Sequence, residues 1–183
     1  MNEEKIPEFG EKKENEERRD GGIGIVFDPK SQKYAVAKHH DGGLLRLFSG
    51  GVDANEDIQI GVLREVSEES GLFDFDYVER IGAVFAHYYN SLRKVNRVTY
   101  SQCFLVILKN SERKEVCLED HEKFDFAWVS VDEMMDNWSS RNKDKGLDHW
   151  IYFLKRAVAR AIKLGYDKTS KEINKKIKIK YKN

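Results

Sequence analysis

The chain opens with short segments whose apolar residues follow the pattern of β-strands. Residues 22–27 are apolar and rich in β-branched side chains, residues 33–38 alternate between two faces, and residues 44–48 form a third apolar run. Asp28-Pro29 and the glycines at 42–43 are typical turn sequences. The pattern therefore predicts a β-hairpin followed by a third short strand.

Over residues 56–70 the apolar residues no longer alternate but recur about once per turn of a helix. Ile58, Val62 and Val66 recur at intervals of four residues, which places them on one face of a helix. Gly71 suits the position just past a helix end, where a left-handed backbone is common. We therefore expect a helix over residues 56–70.

The second half of the chain is again rich in strand residues. We expect strands over residues 77–89, 95–108 and 126–131, the last leading into a small helix, and a helix over residues 148–164 with Asp148 as its N-cap. Strands outnumber helices and do not alternate strictly with them, which disfavours a doubly wound sheet. The predicted fold class is α/β, with a mixed β-sheet sandwiched by helices.

The glycine-rich stretch at residues 21–24 is not a dinucleotide-binding fingerprint. That fingerprint requires the glycines to follow a strand and to open a helix, whereas here they lead into a strand. We therefore exclude a Rossmann-type cofactor site from this motif.

Composition limits the class of protein further. The chain has 183 residues and 40% hydrophobic residues, enough for one domain with a buried core. Lys and Arg number 32, as do Asp and Glu, so a protein-wide basic surface for nucleic acid is not expected. No apolar run approaches the length of a membrane span, and the charged N-terminus has no signal core. We expect a cytoplasmic protein.

Charge is distributed unevenly along the chain. Residues 1–20 carry seven Glu and one Asp against five Lys or Arg, whereas residues 166–183 carry seven Lys against one Asp and one Glu. We expect a charged N-terminal tail over residues 1–20, a domain over residues 21–165 and a Lys-rich tail over residues 166–183. The Lys-rich tail is a candidate contact for RNA.

Three glutamates stand close together on the helix predicted over residues 56–70. Glu65, Glu68 and Glu69 are spaced i, i+3 and i+4, so their carboxylates repel one another unless a cation neutralises them. Arg64 is one candidate for that cation and a divalent metal is another. Ligation by oxygen alone suits Mg²⁺ or Mn²⁺. A solvated helix face is the alternative interpretation.

The segment before this helix favours the metal interpretation. We expect Ser49, Gly50 and Gly51 to form a tight turn that brings backbone groups close to the carboxylates without obstruction by a Cβ atom. A glycine-rich loop, a row of carboxylates and a metal together suit the binding and hydrolysis of a diphosphate.

At this point the chain resembles a known family. The segment GGVDANEDIQIGVLREVSEESGL, residues 50–72, matches the Nudix box G-x5-E-x7-R-E-U-x-E-E-x-G-U, where U is a bulky aliphatic residue. The resemblance implies a Nudix-type α/β/α sandwich with a mixed sheet. It also implies a pyrophosphohydrolase that uses Mg²⁺ or Mn²⁺ to cleave a nucleoside diphosphate linked to another moiety.

The resemblance assigns roles to the residues that match the box. Glu65, Glu68 and Glu69 would be the metal-binding and catalytic carboxylates, Arg64 would orient them, and Glu56 would fix the start of the helix. One of the three carboxylates, or an acid from a later loop, would act as the general base.

The resemblance also indicates residues outside the fixed positions. A main-chain carbonyl near Ser49 or Gly50 would add a metal ligand, and Glu122 is the candidate for an acid from the later loop. Three positions depart from the common pattern: Phe48-Ser49 stands where Pro-Gly is common in the family, and Asn55 stands where glycine is common.

Features outside the box address the substrate. The proline motifs of NADH-type and ADP-ribose-type members are absent, whereas tyrosines at 88–89 stand where dinucleoside polyphosphate members often have one. We expect Gly50, Gly51, Tyr89 and Arg97 to contact a nucleotide-type substrate.

Three functions follow as hypotheses. The first is hydrolysis of a nucleoside triphosphate or a dinucleoside polyphosphate. The second is removal of pyrophosphate from RNA 5′ ends with help from the Lys-rich tail. The third is a non-catalytic binding module with this fold. A homodimer is a further expectation, since dimers are common in the family.

Overall fold

The computed structural model describes residues 5–40, 42–52, 55–90, 93–116, 124–141 and 146–170. Within these ranges the chain forms nine strands and three helices. In order they are β1 (Glu8–Phe9), β2 (Glu17–Arg18), β3 (Gly21–Asp28), β4 (Lys33–His39), β5 (Leu45–Arg46), β6 (Phe48–Gly51), α1 (Ile58–Ser70), β7 (Phe75–Asn90), β8 (Val95–Leu108), β9 (Phe124–Val129), α2 (Val131–Ser139) and α3 (Asp148–Lys163).

All of these strands belong to one mixed sheet. Its main order is β1-β7-β8-β3-β4-β5, while β2 pairs with β8, β6 with β3 and β9 with β4. Strand β3 runs parallel to β8 and antiparallel to β4 and β6, and β7 pairs antiparallel with β8. The predicted mixed sheet is therefore confirmed.

Each face of the sheet carries its own hydrophobic core. Ile25 and Phe27 of β3 face a cluster formed with α2 and α3, whereas Val26 faces a second cluster with Val62 and Val66 of α1. Successive side chains of a strand point to opposite faces, so one strand contributes to both cores. Helices on both faces make the fold an α/β/α sandwich, as expected.

Two glycines of β3 allow α1 to lie close to the sheet. A Cβ atom on Gly22 would collide with Val62, and one on Gly24 would lie 2.6 Å from Cγ2 of Val66. Gly22 and Gly24 therefore serve the packing of α1 on β3.

The helix ends follow local chemistry. Helix α1 begins at Ile58, two residues later than expected, because Asp57 accepts hydrogen bonds from the amides of Gln59 and Ile60 as its N-cap. Gly71 ends the helix with a left-handed φ of 77°, as expected.

The expected N-cap of α3 was wrong. Leu147 occupies that position without a side-chain capping bond, and Asp148 is the first helical residue. A carboxylate in the first turn still interacts favourably with the helix dipole.

The segment before α1 also differs from the expectation. The run over residues 44–48 divides into β5 and β6, and residues 49–51 are not a tight turn but part of β6. They pair with β3, where Gly50 stands opposite Gly22 and Ser49 opposite Ile23. The extended backbone of these residues allows the pairing. The partner strand is distant in the sequence, so the local sequence pattern does not predict it.

Both terminal segments are partly attached to the body. Residues of β1 and β2 pair with β7 and β8, although residues 1–20 were expected to be a tail. At the other end the Tyr34 hydroxyl donates to the Asp167 carboxylate at 3.0 Å, and the Gln32 side chain bonds the backbone of Tyr166 and Lys168. Residues 171–183, most of the expected Lys-rich tail, lie outside the described residues.

None of the described helices is both long and apolar enough to span a bilayer.

Candidate active site

Arg64 is the centre of the acidic cluster on α1. Its Nε and Nη2 atoms donate to the two carboxylate oxygens of Glu56, both at 3.1 Å, and its Nη1 atom donates to Glu65 at 2.9 Å and Glu68 at 3.0 Å. The paired bonds to Glu56 are the geometry that a guanidinium prefers with a carboxylate. These bonds, those to Glu56 first, raise the pKa of Arg64. One cation thus binds three carboxylates that are up to twelve residues apart in the sequence, and the cluster keeps an excess of negative charge.

Gly50 provides the space for the Glu65 carboxylate. A Cβ atom on Gly50 would lie 2.0 Å from Cδ of Glu65 and 2.2 and 2.4 Å from its oxygens. The carboxylate therefore lies directly against the backbone of β6. This contact explains why the motif needs glycine at this position.

The other two glutamates of the motif differ in their surroundings. Glu69 accepts a hydrogen bond from the backbone amide of Ser49 at 3.3 Å, which joins the far end of the motif to β6. Glu68 is 59% exposed and is held through Arg64. Glu69 also lines a groove with Arg113 and Phe126, and Glu65 does not line this groove.

Among the described residues the carboxylates converge on Arg64 and not on a position for a metal ion. Within the ranges that the structure describes, no group of three or more His, Cys, Asp or Glu side chains has the spacing of a metal site. Glu56, Glu65 and Glu68 are instead gathered around the Arg64 guanidinium.

The donor chemistry nevertheless fits a hard divalent cation. Glu65 and Glu69 lie against the same strand, so carboxylate oxygens of α1 and backbone groups of β6 meet along one line. Oxygen donors of this kind suit Mg²⁺ or Mn²⁺ better than zinc.

Glu122, the expected acid from the later loop, lies outside the described residues.

The backbone explains the two departures at positions where glycine is common in the family. Ser49 is an extended residue in β6, so it needs no glycine-like conformation. Asn55 adopts a φ of 71°, a left-handed conformation that favours glycine but that asparagine tolerates better than most residues. Asn55 therefore adopts the backbone conformation that glycine would adopt at this position.

Two clefts meet beside β6. One, which we name the acidic cleft, has a volume of about 890 Å³ and is lined by Glu56, Arg64 and Glu65. The second, the aromatic cleft, has a volume of about 550 Å³ and is lined by Tyr89 and Trp150 among others. Both clefts share three lining residues, namely Arg19, Asp20 and Gly51.

The four residues expected to bind substrate come together in the aromatic cleft. Gly50, Gly51, Tyr89 and Arg97 all line it, although they belong to three different strands. Tyr89 is 60% exposed, so its ring is available for stacking. Arg97 is only 6% exposed, and its Nε atom is the one buried side-chain nitrogen or oxygen in the described chain without a hydrogen-bond partner. A buried donor without a partner is costly and is satisfied when a ligand accepts from it.

Other residues of these clefts were not expected from the sequence. Arg19 and Asp20 belong to the segment expected to be a tail, and His149 and Trp150 lie on α3, where no site residue was expected. Trp150 does pack against the core cluster while lining the cleft. No local pattern marks these positions, because tertiary structure alone brings them to β6.

This combination of fold and site defines a class. An α/β/α sandwich carries a glycine-rich strand beside a helix whose arginine binds several glutamates, between two clefts of small-molecule size. Such a site suits a charged phosphate compound.

Comparison with known proteins agrees with this class. The family model described as NUDIX domain matches residues 18–151, well over half of the chain. The chain therefore belongs to the Nudix family. Comparison with curated protein sequences finds no match.

Solved structures include several similar folds. The NUDIX domain of NrtR from Shewanella oneidensis, in complex with ADP ribose, aligns with a TM-score of 0.54 at 17% identity and covers 79% of this chain and 89% of its own. A MutT protein from Methanosarcina mazei has a TM-score of 0.49 at 17% identity, covering 73% of this chain and 100% of its own. An Ap4A hydrolase from C. elegans has a TM-score of 0.47 at 15% identity, covering 74% and 98%. At 17% identity the likeness to the NrtR domain shows the fold alone.

Proposed function

We propose that the protein is a divalent-metal-dependent pyrophosphohydrolase that cleaves a phosphoanhydride bond in a nucleoside diphosphate linked to another moiety. The substrate would be a nucleoside triphosphate or a dinucleoside polyphosphate. The observation that carries the proposal is the position of the acidic helix α1 beside β6, where the two clefts share Gly51. A polyphosphate crossing this strand would place its bridging oxygens next to the carboxylates.

The aromatic cleft suits the nucleoside. Its volume lies within the usual range for small-molecule sites, and Tyr89 and Trp150 offer ring faces for a base. The unpartnered Nε of Arg97 offers a buried donor for a base or phosphate oxygen. The remaining phosphates would extend past Gly51 toward the acidic cleft.

The carboxylates of α1 would act on the phosphates. Glu65, Glu68 and Glu69 would hold Mg²⁺ or Mn²⁺, with a backbone carbonyl near Ser49 as an added ligand. Such a cation would neutralise phosphate charge and lower the pKa of a bound water. One of these glutamates, or Glu122, would accept the proton of the attacking water. Arg64 would orient the carboxylates through its hydrogen bonds to Glu56, Glu65 and Glu68.

The test is hydrolysis of a substrate panel by the purified protein with Mg²⁺ or Mn²⁺. The panel contains nucleoside triphosphates, diadenosine tetraphosphate, ADP-ribose, NADH and 5′-triphosphorylated RNA, and chromatography resolves the products. Reaction in ¹⁸O-labelled water shows which phosphorus the water attacks. We expect turnover of a triphosphate or a dinucleoside polyphosphate.

Matched variants identify the site. Glu69→Gln should lower kcat at least about 100-fold because it removes the charge of one of the three carboxylates proposed to bind the metal and to activate water. Glu112→Gln makes the same change at an exposed residue that lines neither cleft, and it should leave kcat unchanged. Full activity in Glu69→Gln would contradict the assignment of the metal site.

The panel also separates the alternatives. Preference for RNA, lost on deletion of residues 171–183 and weakened by salt, would replace the proposal with RNA 5′-end hydrolysis. Nucleotide binding without turnover under either metal would indicate a binding module.

A further inference from the structure

The N-terminal segment forms an arm that crosses the sheet edge and ends at the clefts. We define the N-terminal arm as residues 5–20. Strand β1 pairs with β7 and strand β2 pairs with β8, and the Phe85 amide donates to the Pro7 carbonyl at 2.9 Å. At Gly10, where φ is 83°, a Cβ atom would collide with the backbone carbonyl of His87. The arm therefore passes directly over His87.

Two glutamates of this arm clamp the His87 side chain. Its Nε2 atom lies 2.7 Å from Glu8, and its Nδ1 atom lies 2.9 Å from both carboxylate oxygens of Glu16. A carboxylate only accepts hydrogen bonds, so each ring nitrogen must carry a proton for both contacts to be favourable. The geometry thus requires the imidazolium cation, and the ring is 2% exposed.

The charges around His87 come from the arm. Glu8 and Glu16 are the acidic neighbours, Lys5 and Lys12 line the same cavity, and the neighbour on β8 is the apolar Val98. Burial opposes the charged ring, but the hydrogen bonds to Glu8 and Glu16 outweigh it and raise the pKa of His87 above its ordinary 6.5. The clamp is then complete below about pH 6.5, and it is lost as pH rises through the raised pKa.

The clamp lies three residues before a cleft residue. From Glu16 the chain runs through β2 to Arg19, whose amide donates to the Val98 carbonyl at 3.0 Å. The Arg19 guanidinium lies against Gly51, since a Cβ atom there would be 2.9 Å from its Nη2 atom. Arg19 lines both clefts, and within the described ranges no carboxylate pairs with it.

We propose that His87 is a positioning residue that, clamped as a cation between Glu8 and Glu16, fastens the N-terminal arm to the sheet and holds Arg19 at the clefts. Arg19 then contacts the polyphosphate of the substrate, a step that rests on the proposed function. Loss of the His87 proton leaves a ring nitrogen lone pair facing a carboxylate, so the arm is held less tightly and substrate binding weakens as pH rises.

The attachment of the arm is tested without any substrate. Amide hydrogen exchange of Arg19 is measured by NMR between pH 6 and 9 and corrected for the intrinsic exchange rate, together with the titration of the His87 ring. In the native protein we expect protection of Arg19 to fall about tenfold or more as His87 loses its proton. In His87→Gln, which is neutral throughout, protection should be low at every pH.

Two further variants refine this measurement. Glu16→Gln should weaken protection below the His87 pKa, because it keeps the histidine but removes one carboxylate. Glu14→Gln changes the same arm at an exposed side chain and should behave like the native protein. Protection of Arg19 that does not change with pH, or that is equal in His87→Gln and native protein, would overturn the proposal.

The link to substrate is tested by the ratio of KM between His87→Gln and native protein, since this ratio cancels the ionisation of the substrate itself. We expect a ratio of about ten at pH 6 that falls toward one at pH 9, with kcat little changed. A KM ratio that does not change with pH would overturn the positioning role. An absence of turnover by the native protein would instead overturn the proposed function, and the exchange measurement would still decide whether the clamp exists.

Discussion

The contact between Gly50 and Glu65 gives a direct test of how the site is built. In Gly50→Ala the new Cβ atom would lie 2.0 Å from Cδ of Glu65, whereas ordinary contact begins at 3.4 Å. The carboxylate must therefore move by about 1.4 Å or β6 must shift. A displacement of about 1 Å in a catalytic group costs on the order of 100-fold in rate. We expect kcat to fall by about that factor.

Stability should change much less than activity. The obstructing atoms belong to the end of a flexible side chain, and Gly50 does not have a left-handed φ. We expect a change in Tm of only about 2–3 °C, near the effect of 1 kcal/mol in a chain of this size. The measurements are steady-state kinetics on the preferred substrate and a thermal melt of the same sample.

A second glycine serves as the matched control. Gly82 of β7 also has a flexible side chain nearest its absent Cβ atom, at 3.2 Å from Arg156 Nε, but it lines neither cleft. Gly82→Ala should keep the native kcat. If Gly50→Ala were equally active, the reasoning that places the Glu65 carboxylate in the reacting geometry would be wrong.

Three further predictions concern Arg64, Tyr34 and His149. Arg64→Gln should lower the free energy of unfolding by about 1–2 kcal/mol because three carboxylates lose their cation. In thermal melts Mg²⁺ should restore more stability in this variant than in the native protein. An unchanged Tm of the variant without metal would contradict this prediction. Tyr34→Phe should cost about 1–2 kcal/mol, measured by urea unfolding, since the buried Asp167 carboxylate loses a donor; a change near zero would show that water replaces it. Burial lowers the pKa of His149 to about 4 from 6.5, so this histidine contributes stability above pH 6.5 that is lost as pH falls toward 4, the opposite sign to His87. A midpoint near pH 6.5 in an NMR titration of the His149 ring would contradict that prediction.

Local patterns in the sequence predicted the elements that depend on local chemistry. The interval between Ile58, Val62 and Val66 identified α1, and Gly71 identified its end, since backbone conformation and side-chain period are local properties. The spacing of the glutamates placed them on one helix for the same reason. The exact start of α1 and the N-cap of α3 were wrong because several neighbouring residues can compete for a cap.

Features that depend on long-range pairing could not be predicted in the same way. Residues 49–51 have the composition of a turn, and only their pairing with β3 makes them a strand. The N-terminal arm has the charge of a solvated tail, yet Glu8 and Glu16 meet His87 more than seventy residues away. A histidine without metal-ligand spacing gave no local indication of this cluster.

The glycines of β3 and β6 show how the two kinds of information combine. Gly22 and Gly24 are two residues apart on a strand, about 6.8 Å, while Val62 and Val66 are four apart on a helix, about 6.0 Å. The two spacings nearly match, so α1 can lie along β3 with one valine over each glycine. Because β6 pairs with β3 in the register Gly22 to Gly50, this alignment also carries Glu65 to Gly50 and Glu69 to Ser49. The packing glycines therefore fix the position of the carboxylates, and the glycine-rich stretch helps to build the candidate site.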